Sequence, residues 1–381
     1  MRLGLIPVIF SLSISPLCRA QSDLTRAYFN RGSASYEKGD LDSAINDFDT
    51  AIAFEPGLAP AYYNRGNALM RKGDFQAAIS DYDAAIDTNP RFARAYRNRA
   101  LAYYWLNQLD KAADDCERAL RLGPRLGSSY LIAGAVWLQR GDLEKSIQYY
   151  KKSIKLDPAL AEAHGFLGLA LKRKGDIRSA IAEYSRAIEI NPGLISAYNN
   201  RAIAEMSLGN FDGAARDFDR AALLAPNNAL TYFNRASLRL MTENKPGALA
   251  DLNEAIAREP AYAEAYVNRG KVRSELGDYA GAMTDCTRAI ELDPGNALAY
   301  NNRGSLWQRE GNLNAAFEDF SKAIEVDPNL ALAFGNRALL HMLKGNDVEA
   351  RKDATRCYQL DPALKPVFEP RIKAVTAGRK Q

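Results

Sequence analysis

The stretch AYYNRGNAL, residues 61–69, reads locally as helix, yet its centre recurs along the whole chain: Asn-Arg-Gly or Asn-Arg-Ala occurs at 30–32, 64–66, 98–100, 200–202, 234–236, 268–270, 302–304 and 336–338. Successive copies lie 34 residues apart, with one gap of 102, three times that interval. So strict a period makes the chain a series of copies of one supersecondary unit, and the unit must be read before anything else.

Prolines carry the period through the gap, at 56, 90, 124, 158, 192, 226, 260, 294, 328 and 362. With this proline set at position 32, ten uninterrupted repeats follow: 25–58, 59–92, 93–126, 127–160, 161–194, 195–228, 229–262, 263–296, 297–330 and 331–364. Position 4 is aromatic in every repeat but the fifth, which has His164; position 8 is always Gly or Ala; position 20 is Ala except for Ser146; position 27 is Ala except for Ser153 and Cys357. Small residues at 8, 20 and 27 let helix axes approach, and the aromatic fills the space between neighbours. Gly at position 15, as in Gly73 and Gly175, ends a first helix. Asp or Asn at position 16 caps a second, and the proline stops it. Each repeat therefore reads helix A, tight turn, helix B. Repeat 7 departs: in TENKPGAL, residues 242–249, Glu243 replaces Gly and Pro246 enters the first turn of helix B, so a distorted loop is expected.

Small residues at 8, 20 and 27, an aromatic near 24 and proline at 32 on a 34-residue period resemble the tetratricopeptide repeat (TPR) family, over residues 25–364. The resemblance implies an all-α fold: a TPR α-solenoid, a right-handed superhelix of ten helix-turn-helix repeats whose helices A line a concave groove. Residues 365–381 are expected to form a capping helix, with Val367, Ile372 and Val375 on its apolar side, and a basic tail.

Composition agrees with a folded chain: 47% hydrophobic and 25% charged over 381 residues. The first twenty residues stand apart. Arg2, an apolar run from Leu3 to Leu17, and Cys18-Arg19-Ala20 make a signal peptide over 1–20 with cleavage after Ala20. The run is too short for a spanning helix, which needs about 20 apolar residues. The chain is thus expected to be exported, periplasmic in a Gram-negative cell and otherwise secreted; an N-terminal membrane anchor is the alternative. Without residues 1–20 the chain has 48 basic and 46 acidic side chains, which gives no electrostatic case for nucleic acid. The remaining cysteines, Cys116, Cys286 and Cys357, have no metal-site spacing and read as small buried hydrophobes.

On a helix, position 6 points away from the packed positions 4 and 8. Positions 2, 6, 9 and 13 form one stripe, which the TPR resemblance places in the groove. The stripe presents Asn30, Asn64, Asn98, Asn200, Asn234, Asn268, Asn302 and Asn336. Each carboxamide offers two donors and an acceptor, so the row suits an extended peptide backbone; the alternative is that Asn is solvated or bonded to a neighbouring helix. The arginine at position 7 is a different matter. All eight repeats that have it also have Asp at position 23, as in Arg65 with Asp81 and Arg235 with Asp251. The two repeats without it have Tyr149 or Glu183 there. This co-occurrence implies a structural ion pair between helices A and B, within a repeat or between neighbours. Where the signature lapses, Ile132 and Phe166 occupy position 6 and, with Leu169 and Trp105, form an apolar groove patch suited to a hydrophobic side chain or to a self-contact.

No nucleophile constellation, phosphate loop or metal cluster accompanies these features. His164 and His341 are the only histidines. The chain reads as no enzyme, with no cofactor and no metal. It is expected to be an interaction scaffold binding extended peptides or partner proteins in the groove. The alternative is a regulatory or substrate-recruiting subunit of a cell-envelope enzyme, a glycosyltransferase or a peptidoglycan hydrolase.

Overall fold

A computed structural model of the chain describes the backbone of residues 16–378 and the side chains of 21–378. The apolar run of the expected signal peptide therefore lies, up to residue 15, outside the described residues. The first helix, Pro16–Lys38, begins before the expected cleavage point and continues into repeat 1. Among the described residues there are twenty-one α-helices, one short 3-10 turn and no strand. They divide into two compact units at Leu194, the first holding repeats 1 to 5 and the second repeats 6 to 10 with the final helix. In each unit, helix A and helix B of a repeat pack on each other, and helix B packs on the next helix A.

The repeat grammar accounts for this packing. Ala at positions 20 and 27 is buried throughout, and the ring at position 24 (Phe48, Tyr82, Tyr150, Tyr184, Phe218, Phe320) is fully buried. Where that ring faces Gly at position 8, no side chain could replace the hydrogen: a Cβ on Gly66 would stand 2.8 Å from the Tyr82 ring, and one on Gly134 2.5 Å from Tyr150. The two serines that replace alanine are satisfied on the backbone of their own helix A, Ser146 Oγ donating to Gly134 O and Ser153 Oγ to Gly127 O, each at 2.9 Å.

All ten turns take one path. The eight position-15 glycines have φ between 76° and 93°, and Asn107 and Glu243 stand in the same left-handed region at 56° and 58°. The distorted loop expected in repeat 7 is therefore absent. Glu243 adopts the glycine conformation, Asn244 caps helix B through Gly247 N, and Pro246 sits in the first helical turn, where its missing N–H is not needed. Eight helices B carry a side-chain cap at position 16; Gln108 and Asn346 make none.

The final helix, Lys365–Gly378, packs on helix A of repeat 10. Its buried residue is Phe368, whose ring lies where a Cβ on Gly335 would be, at 2.5 Å. Ile372 packs beside it, while Val367, expected on the apolar side, is 48% exposed. Phe368 stands at position 4 and Arg371 at position 7 of what would be an eleventh repeat, so the helix continues the series in phase as a further helix A.

Candidate peptide-docking face

The arginine at position 7 resolves first. In all eight repeats its Nε and Nη2 donate to both oxygens of the Asp at position 23 of the same repeat, at 2.5–3.0 Å. The carboxylates are buried, and such forked pairs combine charge with fixed geometry. Each guanidinium also lies over the ring at position 4, at 4.9–6.0 Å from its centroid. The remaining nitrogen reaches backward. Arg65 Nη1 donates to Asp49, Arg99 to Asp83, Arg235 to Asp219, Arg269 to Asn253 and Arg337 to Ser321, all at position 25 of the preceding repeat. Pairing is thus both within and between repeats. Bonding to Asp81 holds the Arg65 guanidinium well above its ordinary pKa, against desolvation.

Glu183, which has no arginine, accepts its hydrogen bond from His164: Nδ1 lies 2.7 Å from Oε2. The fifth repeat thus replaces the guanidinium–carboxylate contact by an imidazole–carboxylate hydrogen bond, with the histidine at the aromatic position. In the fourth, Tyr149 packs against Tyr130 with ring centroids 6.2 Å apart.

The position-6 carboxamides divide into two groups. Asn98 Nδ2 donates to Tyr63 Oη at 3.1 Å and Asn67 Oδ1 at 2.6 Å, and its own oxygen accepts from Arg97 at 2.9 Å, so it is consumed by a network across repeats 2 and 3. Asn336 Nδ2 is bonded to Asn301 at 2.9 Å, and Asn302 accepts a long bond of 3.5 Å from Asn301. In contrast, Asn30, Asn64, Asn200, Asn234 and Asn268 make no side-chain hydrogen bond among the described residues, and all five are at least partly exposed. Three of these belong to consecutive repeats in the second unit.

The interrupted region forms a recess of about 400 Å³ in the first unit, lined by helices A of repeats 3, 4 and 5 and by helix B of repeat 4. Trp105, Phe166 and Leu169 line it, with Tyr104, Ala135, Leu138, Gln139, Tyr150 and Arg173. Ile132 does not: it packs against the core around Ala100, Cys116 and Val136. Trp105 stacks on Phe75 at 6.0 Å and Phe166 on Tyr150 at 5.9 Å. Sequence patterning leaves Tyr150 hidden as a core ring; the signal that exposes it is Ala135 at position 9, where repeat 2 has Asn67.

The three cysteines are free and buried. Burial pushes the Cys286 thiol up to about 12 and that of Cys357 to about 11, leaving both protonated at neutral pH. Burial likewise lowers the pKa of His341, opposed by Asp353.

Fold and face together define a helical-repeat solenoid with a polar, carboxamide-bearing helix A face. Models of the tetratricopeptide repeat match residues 32–73, 63–126, 134–175, 161–194, 195–228, 263–296 and 297–330, more than half of the sequence. The chain belongs to the tetratricopeptide repeat family, whose members serve in general as protein–protein interaction scaffolds. No curated protein matches it. Among solved structures, it is similar to a tetratricopeptide repeat protein from Parabacteroides merdae, with 21% identity over 62% of this chain and 94% of that one, at a TM-score of 0.52. It is also similar to the APC/C hetero-tetramer Cut9–Hcn1, with 14% identity over 83% of this chain and 76% of that one, at a TM-score of 0.54. Among the described residues no helix is long and apolar enough to cross a membrane.

Proposed function

We propose that this chain is an exported, non-catalytic scaffold that holds extended segments of partner proteins against its helix A face. One observation carries the reading: Asn200, Asn234 and Asn268 stand in three successive repeats with their carboxamides uncommitted. One such group on each of three successive helices A makes a row along which an extended peptide, rising about 3.3 Å per residue, can lie. Carboxamides there can bond the backbone and leave its side chains unread, while the forked arginines keep the repeats in place.

The test uses linear 12-residue peptides selected from a random displayed library against the purified chain. A selected peptide is titrated against wild type and the Asn200→Ala, Asn234→Ala, Asn268→Ala triple variant. Affinity should fall about tenfold or more, since each net hydrogen bond contributes roughly 0.5–1.5 kcal/mol, with the melting temperature unchanged because these side chains bond nothing internally. Equal affinity would discard the proposal. Export rests on the N-terminal run, and N-terminal sequencing of the protein from its native compartment should begin at Gln21; a retained Met1 would refute cleavage.

A further inference from the structure

Two repeats of the first unit solve the same burial problem differently. In repeat 2 the fully buried Tyr82 donates its hydroxyl to Asn67 Oδ1 at 2.9 Å. In repeat 4 the equivalent Tyr150 is equally buried, but position 9 is Ala135 and the Tyr150 hydroxyl has no hydrogen-bond partner. Ser146, one turn earlier on the same helix, gives its hydroxyl to Gly134 O. Ala135 and Tyr150 both line the recess between repeats 3 and 5. The volume that a carboxamide would fill is therefore open, with a buried donor beside it, and an orphaned buried hydroxyl is a cost that a bound acceptor removes.

Arg173 supplies a second donor. It is the only charged side chain lining the recess and, among the described residues, makes no ion pair. Its neighbour Lys174 is held by Glu144 at 2.7 Å. Burial raises the pKa of the Tyr150 phenol, and the Ser146 hydroxyl on the same helix and the charge of Arg173 act against that shift. Two donors with no acidic group between them select an anionic acceptor.

Two walls are aromatic and stacked on further rings. Trp105 is 59% exposed and backed by Phe75; Phe166 is 41% exposed and backed by Tyr150. The volume, about 400 Å³, is at the small end of ligand-sized pockets and suits one large side chain with its adjoining residue. Because both walls stand exposed, a chain can run across the recess.

We infer that this recess binds an internal peptide segment presenting an aromatic or branched aliphatic side chain directly followed by Asp or Glu. The apolar side chain enters between Trp105 and Phe166, and the carboxylate accepts from Arg173 and Tyr150. The inference rests on the reading of the helix A face as a docking surface and says what one part of it takes.

The probe is the doubly capped hexapeptide acetyl-Gly-Gly-Phe-Glu-Gly-Gly-amide, titrated by calorimetry. Saturable binding is expected, about tenfold weaker or worse when Glu is replaced by Lys or Phe by Ala. Phe166→Ala and the surface change Arg173→Glu should each abolish it. Tyr150→Phe should weaken binding several-fold while the melting temperature holds or rises, because the free protein loses no hydrogen bond. Equal binding of the Lys peptide overturns the inference, as does binding indifferent to Phe166 and Arg173. Tighter binding of an uncapped peptide ending in Phe would move the occupant to a chain terminus and overturn it as well. A Phe166-dependent dimer in sedimentation, without peptide binding, would assign the recess to a second copy. Should the hexapeptide fail while the triple asparagine variant still loses its 12-residue ligand, this inference falls and the docking face stands. Failure of both discards the face itself.

Discussion

Arg65 and Arg235 show how much one side chain does in this chain. Each clamps a buried Asp of its own repeat, covers an aromatic ring and ties down the preceding repeat. Removing one partner of such a pair leaves a buried carboxylate uncompensated, a loss of about 3–5 kcal/mol. The two sites should nevertheless differ. Asp81 has Arg65 alone among its ion pairs, whereas Asp251 also accepts from Arg239 at 2.9 Å. Thermal melts of Arg65→Ala and Arg235→Ala should show the larger drop for Arg65→Ala; equal drops would mean that the second guanidinium gives no compensation. The arginine–aspartate pairing is legible in the sequence because both positions change together. The third member at position 25 is not, because Asp49, Asp83 and Asp219 give way to Asn253 and Ser321, which share an acceptor oxygen with them but no residue type. The split of the asparagines into bonded and free is illegible for a related reason: it depends on Asn67, Tyr63 and Asn301 from neighbouring positions and repeats, which no single-helix stripe contains.

At the level of the helix pair, the turn is the most uniform part of the molecule and the place where the sequence pattern misleads. Ten position-15 residues share the left-handed conformation, although two carry side chains. Nothing in Glu243 alone announces this; the caps and packing on either side impose it, and tertiary context overrides the local preference. The strain is testable. Glu243→Gly should stabilise the protein by roughly 1 kcal/mol, since a non-glycine residue there costs about 1–2 kcal/mol and glycine gives back part of that in unfolded-state entropy. Asn107→Gly should gain less, because Asn tolerates this region. Urea titration compares them; a destabilised Glu243→Gly would show that the glutamate side chain contributes more than its backbone costs. The final helix teaches the same lesson about register. Its amphipathic pattern points to Val367, yet the deciding residue is Phe368, identified by counting 34 from Phe334.

For the whole molecule, contacts are local: within each unit a helix packs on those next to it in the chain or one repeat away. Stability is then close to a sum of repeat and interface contributions, and unfolding need not be all-or-none. Three buried thiols report on it natively, Cys116 in repeat 3, Cys286 in repeat 8 and Cys357 in repeat 10. In increasing urea, alkylation followed by mass spectrometry should label Cys357 first, because its repeat has Ala354 at position 24, a smaller core residue than the cysteines that fill this position in repeats 3 and 8. One shared midpoint for all three would show a single cooperative block. The fold itself is legible almost throughout because its period repeats ten times. The apolar walls of the recess, Trp105, Phe166 and Leu169, are legible as a lapse in the Asn-Arg signature; the part played by Tyr150 is not, because it depends on Ala135 standing where repeat 2 has Asn67.

The clamp arginines have one more property. Arg65 lies sixteen residues after Asp49 and sixteen before Asp81, so the backward and forward ties are equal in sequence and together span less than one period. Excising a whole module, for example residues 263–296, would bring Arg303 against Asn253 in the place Arg269 now holds, with its own Asp319 still attached. Removing one residue more or fewer would leave that guanidinium facing the wrong side of a helix. The protein can therefore be shortened or lengthened by complete cassettes with its electrostatic joints intact.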